Sequence, residues 1–379
     1  MNEREFVQGN AFRDAPPLAE RLRARIRLKG AITFHDFMQA ALYDERGGYY
    51  QQSNIARWGR AGDYRTSPES SSLFAITFAN YFAALYEKLG APTRWTIFEA
   101  GAGAGDFARG LLEALRRDYP RVFQATLYVI DEASSDARAR AADRLAHFGE
   151  RVEFRRLADT KVFDEPCIVF SNELLDAFPI HRIQFSGGEF LELYVDVDEH
   201  ENFYWKTGKL SNARLAEFFE GKPNELIEKQ IIEVNLAAAD YIRRVGKLVQ
   251  KGYVITVDYG AETAGLRNPP HRLTGTLRAI RRHQFAENLL SCPGEQDLTS
   301  TIDWTHIKEA GDEAGWQTIV FARQDEFLLQ AGLLEMLERE AARAPTEAER
   351  TRLRLEAREM ILPERMSGSF QVLVQEKRS

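Results

Sequence analysis

A chain of 379 residues can bury one large core or two smaller ones, and 44% hydrophobic with 28% charged residues is the balance of a globular protein, not of a disordered or fibrous one. Its net charge of −7 speaks against a nucleic-acid partner, because a sequence-independent grip on a phosphate backbone needs clustered Lys and Arg. Two cysteines without a CxxC, and seven histidines without an HExxH or a close pair, leave no metal site and no disulfide framework to expect, and fit a reducing compartment.

In chain order, residues 1–17 read as a polar lead-in without a secretory core, and no run of about 18 apolar residues follows to span a membrane, so the expected home is the cytoplasm. From Leu18 to Tyr43 apolar residues recur at helical spacing, broken at Lys29-Gly30, which predicts two helices. Residues 47–75 mix Gly, aromatic and small polar residues without a period and read as a long loop, and a helix over 70–89 follows.

From Trp95 the pattern becomes alternating strands and helices. Strands are expected at 95–99, 126–131, 152–156, 167–171, 253–258, 316–322 and 369–375, with helices at 106–118 and 134–147 as right-handed crossovers. Several of these strands are apolar on both faces, as in a doubly wound α/β sheet covered by helices on both sides. The expected division is a helical extension with a cofactor-covering loop over 1–90 and the sheet domain over 91–379, interrupted by an insertion at about 183–252. That insertion reads as a hairpin turning at Gly187-Gly188, then one long amphipathic helix over 224–252, packed over the ligand edge of the sheet. A charged helix at 333–358 precedes the last strand.

The stretch "FEAGAGAGDF" (98–107) follows the first strand of the sheet, where open α/β sheets bind their ligands. A dinucleotide fingerprint needs Gly or Ala at the sixth position, but Asp106 stands there and would set a carboxylate against a pyrophosphate. Acid-x-Gly-x-Gly-x-Gly, with Glu99 as the acid and Gly101, Ala102 and Gly103 forming the turn, suits S-adenosyl-L-methionine better, because that cofactor is cationic at its sulfonium and amino groups and carries no phosphate. An acid at the end of the next strand, Asp131 or Glu132, is placed to take both ribose hydroxyls. Asp159, after the third strand, is a candidate for the adenine amino group.

"VFSNELLDAFPIHR" (169–182) leaves the fourth strand at the same edge of the sheet. Asn172 is not followed by the ring that base-methylating enzymes stack on a flipped base. Glu173 and Asp176, one helical turn apart, suit a cationic acceptor instead: a guanidinium is held bidentately, and a carboxylate can receive the proton released on alkylation. The same residues also suit a plain helix cap with a solvated acid. Thr66 and Ser67 in "GDYRTSP" either fold over the cofactor or simply cap the next helix. The basic cluster at 278–283, with Arg278, Arg281, Arg282 and His283, reads as a partner surface or as a solvated helix face.

These stretches, with "ITFHDFMQAALYDERGGYY" (32–50), "GDYRTSPESSSLFA" (62–75), "VDYG" (257–260), "GTLRAIRRHQ" (275–284) and "PGEQDLTSTIDW" (293–304), resemble MidA-type class I S-adenosylmethionine-dependent methyltransferases. The resemblance implies a Rossmann-like methyltransferase core with helical additions, and S-adenosyl-L-homocysteine as product. It implies arginine methylation of a partner protein, since the mitochondrial members of that family assist assembly of respiratory complex I, and so a respiratory-complex subunit as a candidate partner. In register with the family, Glu132 rather than Asp131 is the ribose ligand, and Glu99, Gly101 and Gly103 line the pocket. The competing expectation is a non-catalytic protein that binds the cofactor structurally and acts as an assembly chaperone.

Overall fold

The computed structural model describes residues 16–52, 71–220, 226–267, 272–281, 284–362 and 369–378. The chain forms two compact units that interleave along the sequence: Met1–Ala56, Ala177–Ala237 and Ala261–Asp303 make one, and Arg57–Asp176, Ala238–Gly260 and Trp304–Ser379 make the other.

Seven strands build the second unit: β1 (Trp95–Ala100), β2 (Thr126–Asp131), β3 (Val152–Phe154), β4 (Cys167–Asn172), β5 (Gly252–Ala261), β6 (Gln317–Arg323) and β7 (Phe370–Lys377). Their order in the sheet is β6-β7-β5-β4-β1-β2-β3. β1 runs parallel to β2 on one side and to β4 on the other, with Phe98 opposite Val129 and Val169. β4 and β5 are also parallel, whereas β7 is antiparallel to both β5 and β6. These seven strands make the mostly parallel Rossmann-like sheet that the strand pattern predicts, and the two-residue strand Ile302–Asp303, which it did not predict, also pairs with β5. Every residue of β1 is buried, as are the first seven of β5, because helices cover both faces of a sheet wound this way.

Three helices position the site: α1 (Ser72–Lys88), α2 (Asp106–Asp118) and α3 (Ser135–Leu145). Ser71 opens α1 by accepting the Leu73 N–H at 3.1 Å, satisfying one of the orphan donors of the first turn. Packing is led by aromatic residues: the Phe107 ring of α2 stacks on Phe170 of β4 at 4.3 Å, and Phe78 of α1 meets both rings edge-on. Helix α1, read from the sequence as part of a 1–90 extension, lies within this second unit.

The first unit contains the two expected N-terminal helices, Leu18–Lys29 and Phe34–Tyr43. Its antiparallel sheet runs Ile32–Thr33, Glu189–Val197, His181–Ser186, Ile231–Val234, with Phe203–Gly208 added to the second of these. Gly187 and Gly188, at φ 61° and 82°, make the tight hairpin turn that their positive φ permits. Buried inside, His181 Nδ1 bonds Glu192 at 2.7 Å and the His35 ring stacks on His181 at 4.8 Å.

Three expectations are corrected. Residues 224–252 are not one helix: Ile231–Val234 is a strand paired with His181–Gln184, and the helix begins at Leu236. The β-branched Ile231, Ile232 and Val234 serve either period, and a partner strand decides between them. The charged segment 333–358 is two helices, Leu333–Arg343 and Glu347–Ile361. Pro345 has no N–H and drives Ala344 to an extended ψ of 122°, after which Thr346 caps the second helix. Arg278 and Arg281 sit on the strand Arg278–Arg281, not on a helix face, and Arg281 is paired with Glu295; Arg282 and His283 lie outside the described residues.

Gly252 admits β5 to the sheet. Its φ is 143°, and a Cβ built there falls 1.8 Å from the Cys167 carbonyl oxygen. Gly252→Ala is therefore expected to cost about 3 kcal/mol or more, because backbone must move on both strands. A urea titration with an unchanged midpoint would refute this.

Candidate functional site

At the carboxyl end of β1 the chain turns through Gly101, Gly103 and Gly105, all at positive φ (72°, 53° and 80°), and Gly105 then opens α2. Two of these glycines also lie close against their neighbours. A Cβ at Gly101 falls 2.9 Å from Leu174 Cδ1, and one at Gly105 falls 3.1 Å from the Ala141 Cβ of α3. The Gly101 N–H donates to the Asp131 carbonyl at 2.8 Å, which ties the turn to the end of β2.

Glu132 closes on that turn. One carboxylate oxygen accepts the Gly103 N–H at 2.8 Å and the other accepts the Ser134 N–H at 2.7 Å, while the Ser134 hydroxyl caps α3. The side chain is thus held in one orientation at a nearly buried position, 9% exposed. Asp131 is occupied differently: it accepts the Leu157 N–H at 2.8 Å and pairs with Arg156 at 2.8 Å, and burial raises its pKa from its ordinary value against both of these partners. Asp159 lies exposed in the short helical turn Leu157–Asp159.

Glu99, the penultimate residue of β1, is 4% exposed and accepts the Tyr128 hydroxyl at 2.7 Å. Burial pushes its carboxyl up to about 8; the Tyr128 bond opposes this and the Glu132 and Asp106 carboxylates add to it. Asp106, in the first turn of α2, pairs with Arg144 of α3.

At the end of β4, the Asn172 amide donates to Glu173 Oε1 at 3.1 Å, and its Oδ1 is buried with no hydrogen-bond partner among the described residues. Glu173 and Asp176 do not share a helix face, which corrects the sequence expectation. Glu173 is left-handed at φ 50°, with its N–H bonded to the Val257 carbonyl at 2.9 Å, so the neighbouring strand β5 replaces the helical turn. β5 also contributes two residues that sequence reasoning missed. Asp258, fully buried, accepts the N–H groups of Leu175, Asp176 and Tyr259 at 3.0, 3.3 and 2.9 Å. The Tyr259 hydroxyl donates to Asp176. Burial drives the Asp258 pKa well above the carboxylate range, with Asp176 and Glu173 adding to the effect. The available signal was "VDYG", an acid and a ring at the end of a strand.

Thr66 and Ser67 lie outside the described residues. Among those described, no three His, Cys, Asp or Glu side chains gather as a metal site, and no helix is long and apolar enough to cross a membrane. The donor set at the glycine turn fits S-adenosyl-L-methionine. The Gly103 N–H, which a pyrophosphate would need, is spent on a carboxylate, and Glu99 and Glu132 flank the turn with acids rather than bases.

The family model of S-adenosyl-L-methionine-dependent methyltransferases matches residues 77–322. A Burkholderia thailandensis protein solved with S-adenosyl-homocysteine has the same fold, with a TM-score of 0.84 and 28% identity over 100% of this chain and 94% of that one. The Drosophila melanogaster protein arginine methyltransferase NDUFAF7 homolog, mitochondrial, is 25% identical over 79% of this chain and 70% of its own length. The human protein arginine methyltransferase NDUFAF7, mitochondrial, is 22% identical over 80% and 71%. These names overturn the expectation of a cytoplasmic home, since the relatives are mitochondrial. Free cysteines do not distinguish the cytoplasm from another reducing compartment.

The raised pKa of Glu99 has a measurable consequence. Its stabilising contribution is complete below the unfolded value of about 4.3 and is lost as the pH rises through the folded value of about 8. The stabilities of wild type and Glu99→Gln should therefore diverge over that window by roughly 5 kcal/mol in favour of the amide, at about 1.4 kcal/mol per pH unit. Denaturation midpoints that run parallel with pH would show that Glu99 ionises freely.

Proposed function

The chain belongs to the family of S-adenosyl-L-methionine-dependent methyltransferases, and from that membership we propose that its methyl acceptor is a guanidinium nitrogen of an arginine in a partner protein. The observation that carries this reading is the gathering of Glu173, Asp176 and Asp258 at the ends of the adjacent strands β4 and β5. Leu174, between two of these acids, packs against the glycine turn. Three acids so close together repel one another, and a planar cation held by bidentate hydrogen bonds relieves that repulsion. Relatives named as protein arginine methyltransferases support the same acceptor. They also make a non-catalytic assembly factor the less favoured reading.

In this proposal Glu132 takes the ribose hydroxyls, and Gly101, Ala102 and Gly103 line the methionine portion. Glu99 lies beneath the turn, Asp159 is the candidate for the adenine amino group, and the Asn172 Oδ1 accepts from ligand. The cofactor supplies an already activated methyl group on its sulfonium, so the protein contributes chiefly position. Glu173 and Asp176 orient the guanidinium, and a carboxylate receives the proton shed by the alkylated nitrogen. For the partner we propose a respiratory-complex subunit, as the family resemblance implies.

Transfer of tritium from labelled S-adenosyl-L-methionine into extract of the source organism should mark a protein band that yields methylarginine on hydrolysis. Wild-type protein that labels nothing would overturn the reading. Glu173→Ala should abolish the labelling while S-adenosyl-L-homocysteine still binds, and label retained by that variant would remove Glu173 from the acceptor site. Glu132→Ala should weaken S-adenosyl-L-homocysteine by about 10- to 100-fold, the loss of charged hydrogen bonds worth about 1.5–3 kcal/mol. Unchanged binding by calorimetry would place the ribose elsewhere.

A further inference from the structure

The turn that leaves β4 is tied to the neighbouring strand β5. Its backbone is gathered by Asp258, which takes the N–H groups of Leu175 and Asp176 on one carboxyl oxygen and that of Tyr259 on the other. The Asp176 carboxylate of that turn accepts the Tyr259 hydroxyl. Tyr259 is itself immobilised. Its ring meets Phe370 of β7 edge-on at 5.4 Å, and the next residue, Gly260, donates to Gln371 Oε1 at 3.0 Å, an oxygen that also accepts the Trp304 indole N–H at 2.9 Å.

The fold does not need this hydroxyl. A phenylalanine would make the same edge contact with Phe370, whereas the O–H serves the carboxylate. Nor does packing favour a carboxyl at 258 over an apolar residue, since burying an acid beside Asp176 and Glu173 is costly unless those hydrogen bonds serve a purpose. A rigid donor on one acid and a rigid collector of the turn's N–H groups are what a site needs to hold a planar cation in line for attack.

We propose that Tyr259 and Asp258 are positioning residues for the methyl transfer: Tyr259 fixes the Asp176 carboxylate toward the cationic acceptor, and Asp258 fixes the turn that carries it. This inference rests on the arginine-methylation reading. Asp258 accepts from the backbone of the turn after β4 and the Tyr259 hydroxyl donates to Asp176 of the same turn, so the expected effect of changing either falls on the acceptor side and leaves cofactor affinity intact.

The test uses the full chain, tritiated S-adenosyl-L-methionine at saturation, and initial rates over a dilution series of extract, which separates apparent KM from kcat. Tyr259→Phe should lower kcat about tenfold, the scale of one hydrogen bond to a charged group, with the melting temperature and the Kd for S-adenosyl-L-homocysteine unchanged. In an Asp176→Ala background, which removes both acceptor oxygens, the same change should have no further effect on the residual rate, because the bond it removes is already lost. Asp258→Asn, which keeps an acceptor oxygen but sets an amide against the Tyr259 N–H, should lower kcat with cofactor affinity retained. Should Asp258→Asn fail to fold, Tyr259→Phe decides the matter. A Tyr259→Phe protein as fast as wild type, or one that loses rate only together with melting temperature and cofactor affinity, overturns the inference and leaves arginine methylation standing. Wild type that labels nothing removes both.

Discussion

The bond between the Glu132 carboxylate and the Gly103 N–H is the constraint on which the cofactor side of this protein depends. β1 and β2 are parallel neighbours, so the turn after one and the acid after the other emerge together. A carboxylate that also accepts from Ser134, at the start of α3, locks turn, acid and helix into one arrangement. Glycine is favoured there chiefly by the positive φ values, and at Gly101 and Gly105 the close approach of Leu174 and Ala141 adds to that preference. A dinucleotide fold keeps such a turn's N–H groups for phosphate, and here one is turned onto an acid instead.

A second theme is the concentration of acids at one edge of the sheet. Glu99 and Asp258 are both buried and both pushed toward the neutral form, each by burial first and then by other carboxylates. Such an arrangement costs stability in the free protein and is relieved by positive charge, which is what a sulfonium-bearing cofactor and a guanidinium acceptor bring. The two clusters take their positions from the sheet: Glu99 and Glu132 from the ends of β1 and β2, Asp176 and Asp258 from the ends of β4 and β5.

Much of this was readable in the sequence, and what was not has identifiable causes. The seven strands announce themselves because residues buried on both faces form short apolar runs between turn residues, as in "WTIFEA" and "YVITVD". Residues 231–234 misled because three β-branched residues in four satisfy strand and helix periods alike, and pairing with His181–Gln184 decided the outcome. The break at Pro345 was in plain view, but the helix-forming residues on either side of it outweighed a single proline. Asp258 and Tyr259 carried a visible motif without a visible place, because they lie 83 residues from the turn they hold.

By itself, then, the amino-acid sequence determined which segments become strands and helices, the glycine turn with its flanking acids, and the family to which the chain belongs, since all of these are local patterns of side-chain size, polarity and spacing. Tertiary structure alone decided that the two compact units interleave, that Asp131 faces Arg156 while Glu132 faces the turn, that Glu99 sits near pH 8, and that Tyr259 meets Asp176. The physical reason is that burial, desolvation and hydrogen-bond partnership depend on which strands lie side by side, and strand adjacency in a parallel sheet is set by long crossovers rather than by neighbouring residues.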